Sequence, residues 1–397
     1  MLNLSKRAEL MPASPIRKLV PFAQEAKKRG IKVYHLNIGQ PDIKTPELFF
    51  EAIRKFDAPV LAYALSQGDL QLIDSFREYY KKWGIDFAQD EIIITNGGSE
   101  AIIMAMMAIG DPGDEVLVPE PFYANYNGFA CEAGMTVRPI TTKAEEGFHL
   151  PSKEYIKSLI KPNTKAIMIS NPGNPTGAVY TKEELTMLGE IALEHDIFLI
   201  GDEVYREFVY DGLKFTSLMD IPGIEDRVII CDSISKRYSA CGARIGCICS
   251  KNKAFMSTIM KFAQARLCAP TIEMIGAAAL VNTAKEYFEE VHHEYQKRRD
   301  IVYNALKNMP GVVCEKPMGA FYVVAKLPVD DAENFAKWML TDFNINNATT
   351  MVAPAAGFYA TPGLGKDEVR LAYILKEEDL VAAMDILAKG IEAYNKR

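Results

Sequence analysis

Four short segments in the middle of this chain concentrate residue types that bind anions and move protons. In Asp232-Ser233-Ile234-Ser235-Lys236, followed by Gly242, Arg244 and Gly246, two hydroxyls and a fork-shaped cation flank one lysine. Ser233, Ser235 and Arg244 suit the oxygens of a phosphate monoester, because guanidinium and hydroxyl groups make directional bonds to them. Lys236 is then an amine whose basicity is depressed by burial and neighbouring cations, which makes it a nucleophile. The plain alternative for a lone lysine is a solvated side chain.

The other three segments extend that chemistry. Asn96-Gly97-Gly98-Ser99-Glu100 lies between an apolar run and a strongly helical stretch. Glycine lets a backbone approach an anion there, Ser99 is a candidate cap, and the helix N-terminus offers free N–H groups. An ordinary capped turn has the same residues. Ser170-Asn171-Pro172-Gly173-Asn174-Pro175-Thr176-Gly177 carries more special residues than a plain turn needs. Its two X-Pro units stiffen the loop while the Asn amides stay free to clamp the oxygen of a bound ring. A stiff loop without a ligand is the alternative. In Gly201-Asp202-Glu203-Val204-Tyr205, Asp202 ends an apolar run. A buried carboxylate needs a cation, and a protonated pyridine nitrogen qualifies; Tyr205 can aim at the same ring. A helix cap is the competing role for Asp202.

These segments need a scaffold that brings them together. From about Asp90 to Ser250, short Ile/Val-rich runs alternate with longer helical patterns, as in repeated β-α-β units around a mainly parallel sheet. The runs read as strands are Ile92 to Thr95, Val116 to Pro119, Ala166 to Ser170, Ile197 to Gly201, Val228 to Asp232 and Ile245 to Cys249. Each chemical segment follows or flanks one of these runs, where ligands sit in open α/β sheets. After about Thr283 the pattern changes to long charged helices, such as Glu286 to Lys307, with short runs at Val323 to Lys326 and Met351 to Ala353 and a last helix ending near Tyr394. A smaller α+β domain is expected there.

Bulk properties narrow the function. At 397 residues and 49% hydrophobic content the chain is long enough for two domains with a cleft between them. The net charge of −7, with no long basic run, argues against nucleic acid. Scattered charges from Lys6 to Arg29 leave no apolar core for a signal peptide, and Ala101 to Ile109 is too short to span a bilayer, so export and membrane insertion are not expected. Seven cysteines form neither a disulfide framework nor a metal-ligand pattern, and five histidines add none; His292 and His293 belong to a charged helical face. A cytoplasmic location fits.

In this order, the Gly-Gly-Ser turn, the Asn-Pro-x-Asn-Pro-Thr-Gly loop, the Asp-x-x-Tyr pair and the Ser-x-Ser-Lys segment with its arginine eight residues on resemble the class I/II aminotransferases, over nearly the whole chain. The resemblance, aspartate-aminotransferase-like, implies the fold-type I α/β architecture of pyridoxal 5′-phosphate (PLP) enzymes. That means a large domain over 49–285 with a mainly parallel seven-stranded sheet, and a smaller α+β domain from 1–48 and 286–397. It further implies that Lys236 holds the cofactor as a Schiff base, that Asp202 pairs with the pyridine nitrogen, and that Tyr205 and Asn174 hold the phenolic oxygen. Gly98, Ser99, Glu100, Ser233, Ser235 and Arg244 form the implied phosphate cup, and Tyr123 stacks on the ring. Tyr63 reaches the phosphate of a partner subunit, which implies a homodimer with shared sites. Arg370, in Glu368-Val369-Arg370-Leu371-Ala372-Tyr373, matches the arginine that grips the substrate α-carboxylate; Gly39, in Asn37-Ile38-Gly39-Gln40-Pro41-Asp42, belongs to the segment that closes over substrate.

Two departures stand out: Ala243 where many relatives have a bulky residue, and Ala355-Ala356 in place of a more usual Pro-Gly. The implied activity is ping-pong transfer of an amino group from an L-amino acid, aspartate or another common one, to a 2-oxo acid such as 2-oxoglutarate. A dicarboxylic substrate requires a further cation, for which Arg266 is the candidate, with a plain helix-surface position as its alternative. A PLP-dependent cysteine-S-conjugate β-lyase and a non-catalytic regulatory protein on the same scaffold are the competing functions. The regulatory reading predicts a fused DNA-binding domain or a lost lysine, neither of which this sequence has.

Overall fold

The computed structural model describes residues 2–397. Strand β1 (Lys32–His35) precedes seven strands that share one sheet: β2 (Ile92–Thr95), β3 (Glu115–Glu120), β4 (Thr136–Thr141), β5 (Thr164–Ser170), β6 (Phe198–Asp202), β7 (Val228–Ser233) and β8 (Gly246–Cys249). Their order is β2-β8-β7-β6-β5-β3-β4. All neighbours run parallel except β8, which is antiparallel to both β2 and β7.

Both faces of this sheet are covered, which is why its strands read as unbroken apolar runs instead of alternating ones. Ile92, Ile94, Ile167 and Ile169 join the core that includes helices Leu70–Lys82 and Lys182–His195. The residues between them, Ile93, Ala166 and Met168, pack with helices Gly97–Ile109 and Lys253–Arg266 on the opposite face. Helix starts are set locally. Asp69 accepts from Leu72 N at 3.1 Å, and Thr181 with Glu184 forms a reciprocal capping box. Strand β4 has no counterpart among the apolar runs of the sequence. It is an edge strand, Thr-Val-Arg-Pro-Ile-Thr, half exposed and interrupted by proline, so it lacks the apolar signature of its buried neighbours.

Strands β9 (Tyr322–Lys326), β10 (Ala348–Met351), β11 (Ala353–Pro354) and β12 (Glu368–Ala372) form two small sheets: β10 pairs in parallel with β1, and the antiparallel order β11-β12-β9 sets Arg370 opposite Val324. Their apolar residues share a core with Leu19 to Leu36 and with helices Lys285–Lys307 and Glu377–Tyr394. The N-terminal segment is therefore packed with the C-terminal part of the chain. Asp42 is tied there by Arg298 at 2.6 Å.

Candidate active site

Register places the chemical segments side by side. Ser170 ends β5, Asp202 ends β6 and Ser233 ends β7, so three consecutive carboxyl ends meet at one edge of the sheet. Gly246, where antiparallel β8 begins, lies opposite both Ser233 and Thr95. A side chain there has no room: a Cβ would stand 2.6 Å from Asp232 O and 2.8 Å from Gly98 N. The glycine lets β7, β8 and the start of helix Gly97–Ile109 converge, and Arg244 leaves from that junction in the left-handed conformation, φ 53°.

A cavity of about 1000 Å³ opens over this edge, and Gly39, Gly98, Ser99, Tyr123, Asn174, Asp202, Tyr205, Ser233, Ser235, Lys236, Arg244 and Arg370 all line it. Lys236 is half-buried, and its Nζ donates to Gly39 O at 3.0 Å, with Cys241 Sγ 3.9 Å away. Asp202 accepts from Tyr126 Oη at 2.6 Å, while its other oxygen, Oδ1, is buried with no partner. Burial pushes this carboxyl up to about 6. Arg370 is 2% exposed and has no acidic partner: Nη2 donates to Asn37 O at 2.6 Å, Nη1 to Asn174 Oδ1 at 3.3 Å, and Nε to nothing. Burial lowers its basicity. Tyr205 Oη and Tyr322 Oη are 2.9 Å apart.

Three of the expected residues are not brought in. Glu100 turns away from the cavity. Its carboxylate accepts the Asn96 N–H at 2.6 Å and pairs with Arg266 Nε at 3.4 Å. The physical reason is charge: a carboxylate facing a phosphate is repelled, and the helix start supplies a better donor. The same pair removes Arg266 as the partner of a distal carboxylate, since its Nη2 also donates to Ile94 O at 2.9 Å and it stays outside the cavity. Tyr63 is 81% exposed and away from this chain's own cavity. Ser99 does not cap its helix either; it is the third helical residue, and Asn96 at the cap makes no side-chain bond. The first-turn N–H groups are thereby left for an anion.

Several residues of the site escaped the sequence reading. Tyr126, which holds Asp202, is the second residue of helix Asn125–Ala133, and its ring lies 5.5 Å from that of Tyr123, which precedes the helix. Tyr322 stands one residue before the run Val323 to Lys326 expected from sequence and opens the strand in the structure. The exposed Arg17 side chain lines the cavity and makes no hydrogen bond or ion pair with the described residues, and from sequence it is one of many scattered charges. Ala243, the departure beside Arg244, is buried in the sheet core and does not face the cavity.

The donor set fits a phosphorylated pyridine aldehyde. Against the single carboxylate of Asp202 the cavity presents Lys236, Arg244, Arg370, Arg17 and a helix N-terminus, an excess of positive potential that calls for bound anions. Asp202 Oδ1, open and buried, in turn calls for a cation.

A mainly parallel seven-stranded sheet carrying an amine, an acid and an anion cup on its carboxyl edge defines a fold-type I transferase. The chain belongs to the family "Aminotransferase class I and II", which matches residues 31–386, and it is an aminotransferase. It is 30% identical to the aspartate aminotransferase of Bacillus subtilis (strain 168), covering 99% of this chain and 100% of that one. With the aromatic-amino-acid aminotransferase 2 of Thermococcus litoralis it shares 32% identity, over 98% of this chain and 99% of the relative. Among solved structures, the Thermus thermophilus aspartate aminotransferase with maleate superimposes with a TM-score of 0.88 at 30% identity, covering 98% of this chain and 100% of that one. The Pyrococcus furiosus alanine aminotransferase gives a TM-score of 0.89 at 32% identity, with the same coverage.

Proposed function

We propose that this enzyme binds PLP through Lys236 and moves the amino group of an L-amino acid to a 2-oxo acid by a ping-pong route. The observation that carries the reading is the meeting, in one cavity, of an amine, a buried carboxylate with an open oxygen, and a buried guanidinium with no counter-ion. When bound, the cofactor supplies an electron sink for the charge left as the substrate Cα–H bond breaks.

The chain's own residues do the rest. Ser233, Ser235, Arg244, Gly98 and Ser99 hold the phosphate, and Tyr123 covers the ring. Asp202 keeps a proton on the ring nitrogen, itself oriented by Tyr126. Tyr205 and Asn174 donate to the ring oxygen. For Asn174 this leaves its Oδ1 accepting from Arg370, so cofactor and substrate sites are linked through one amide. Arg370 receives the α-carboxylate bidentately, which fixes the Cα–H bond relative to the ring. Lys236, whose amine lines the same cavity, would serve as the base that takes the proton from the substrate α-carbon and as the acid that returns it.

The donor we favour is acidic. Relatives named for aspartate support that choice, and among the described residues of the cavity wall Arg17 is the one cation left without a role in cofactor or α-carboxylate binding. We take 2-oxoglutarate as the acceptor on the same ground. A homodimer with shared sites is supported by Tyr63 and its neighbours Val60 and Leu61, exposed at 81%, 70% and 60%. The division into a large unit over 49–285 and a small one from 1–48 and 286–397 is supported by the shared core of the N-terminal segment and the C-terminal helices. Seven free thiols fit the cytoplasm.

Borohydride treatment of the PLP-loaded enzyme followed by peptide mass analysis is expected to find the reduced adduct on Lys236. Incubation with aspartate in the absence of a 2-oxo acid is expected to convert the yellow form to the amine form with no release of ammonia. An adduct elsewhere, or an aspartate-treated enzyme that stays yellow while a cysteine S-conjugate is split to thiol, pyruvate and ammonia, would replace this reading.

A further inference from the structure

Tyr322 touches Tyr205, Arg370 and Gly39 and has no role in the chemistry above. Its hydroxyl lies 2.9 Å from Tyr205 Oη, and its ring lies beneath Arg370, whose guanidinium carbon is 4.7 Å from the ring centroid. It also abuts Gly39, where an added Cβ would come within 1.8 Å of the Tyr322 hydroxyl. Gly39 is the residue whose carbonyl holds the Lys236 amine. The side chain is 2% exposed and borders the cavity. It sits on β9, hydrogen-bonded to the strand that bears Arg370.

A tyrosine hydroxyl has one proton to give and lone pairs to receive. In the reading of the site just proposed, on which this inference rests, Tyr205 spends its proton on the ring oxygen of PLP. The Tyr205 oxygen is then an acceptor, and the group within reach is Tyr322, whose other acceptor, Gly39 O, is 3.5 Å away and poorly placed. Donation from Tyr322 polarises Tyr205 and makes it a stronger donor, since consecutive hydrogen bonds in a low-dielectric site reinforce one another. Meanwhile the face of the same ring receives a guanidinium with no carboxylate of its own.

We propose that Tyr322 is a positioning residue with two separable functions: its hydroxyl directs the Tyr205 proton at the cofactor ring oxygen, and its ring holds Arg370 in place for the substrate carboxylate. Neither function requires Tyr322 to touch a reacting atom.

The two functions are separated by two substitutions in the PLP-loaded enzyme. Tyr322→Phe keeps the ring and loses the hydroxyl. Spectrophotometric titration of the bound chromophore is expected to show its protonation midpoint raised by about half to one pH unit, because a weaker donor leaves more electron density on the ring oxygen. KM for the amino acid should stay within about twofold while kcat falls about 3- to 10-fold. Tyr322→Leu should add a rise in KM of about 5- to 10-fold, from a guanidinium that has lost its support. Tyr205→Phe supplies the control: in that background Tyr322→Phe is expected to move the midpoint no further, as two substitutions in one relay are not additive. A Tyr322→Phe enzyme that titrates like the parent, or an equal shift in the Tyr205→Phe background, overturns the relay. Equal KM values for the Phe and Leu variants overturn the support of Arg370. If the parent itself binds no chromophore at Lys236, the cofactor assignment fails before this one is reached.

Discussion

Two clusters of buried charge lie at the ends of β6 and β7, separated by little more than the strands themselves, and they are built on opposite rules. Behind the sheet edge, Arg237 meets both oxygens of Asp232 at 2.8 Å, and Tyr80 adds a third bond to that carboxylate at 3.1 Å. Arg206 faces Glu203, which also accepts from Ser217 and Leu218 N. Two arginines answer two acids, and the guanidinium groups lie over Tyr79 and Tyr80. In front, Asp202 keeps an open oxygen and Arg370 has no acid at all. Desolvating a charge is tolerable when its partner travels with it. A cluster that balances itself is part of the fold, whereas one that leaves charges unanswered is waiting for a ligand to supply the counter-charge.

That contrast is open to test from both sides. The largest effect belongs to the self-balanced cluster. Asp232→Ala strands Arg237 in the core and is expected to lower stability by about 3–5 kcal/mol, read as a fall in the urea midpoint, with activity per folded molecule much less affected. Retained stability with lost turnover would erase the distinction.

The front cluster should behave in the reverse sense. Arg370→Gln is expected to cut kcat/KM for amino acids by about 10²- to 10³-fold, since the α-carboxylate loses a bidentate partner. The cofactor-free protein should melt no lower than the parent, because no ion pair is broken. A large loss of stability would show that Arg370 is structural.

Asp202 sharpens the comparison through pH. Burial raises its carboxyl to about 6, so in the cofactor-free protein its contribution to stability is present below the ordinary carboxylate range and is lost as pH rises through about 6. Asp202→Asn removes that loss. The cofactor-free variant should exceed the cofactor-free parent by up to about 2 kcal/mol at about pH 8, the gap closing toward about pH 4, as followed by thermal melts. With PLP bound the order should invert, because the acid then has its cation. A pH-independent difference would remove Asp202 from the cofactor's electrostatics.

The smallest effect is at the rim. Arg17→Gln is expected to raise KM for aspartate about 10-fold and leave that for alanine unchanged, as measured by half-reactions with each amino acid. Equal changes for both would assign Arg17 to general access in place of side-chain recognition.

Much of this organisation is legible in the chain because it is local. Each central strand announces itself by an Ile/Val run, and each chemical segment follows or flanks one, so the carboxyl edge of the sheet could be anticipated before any contact was known. What escaped had no local mark. The edge strand β4 is half polar and carries a proline. Tyr322 and Arg17 are distant in sequence from Lys236 and enter the cavity only because the N-terminal segment and β9 fold back over the sheet.

Residue type and spacing were sufficient for the class of chemistry: an amine among anion binders, an acid at a strand end and an arginine on a distant motif restrict what can be bound. Tertiary structure alone decided which charges are answered. Glu100 and Arg266 read as site residues, yet both lie outside the cavity and pair with one another at 3.4 Å, and Asp202 and Asp232, alike as acids at the ends of neighbouring strands, differ only in what stands opposite them. The reason is that electrostatic need is a property of the surroundings in three dimensions, and a sequence lists the charges without their partners.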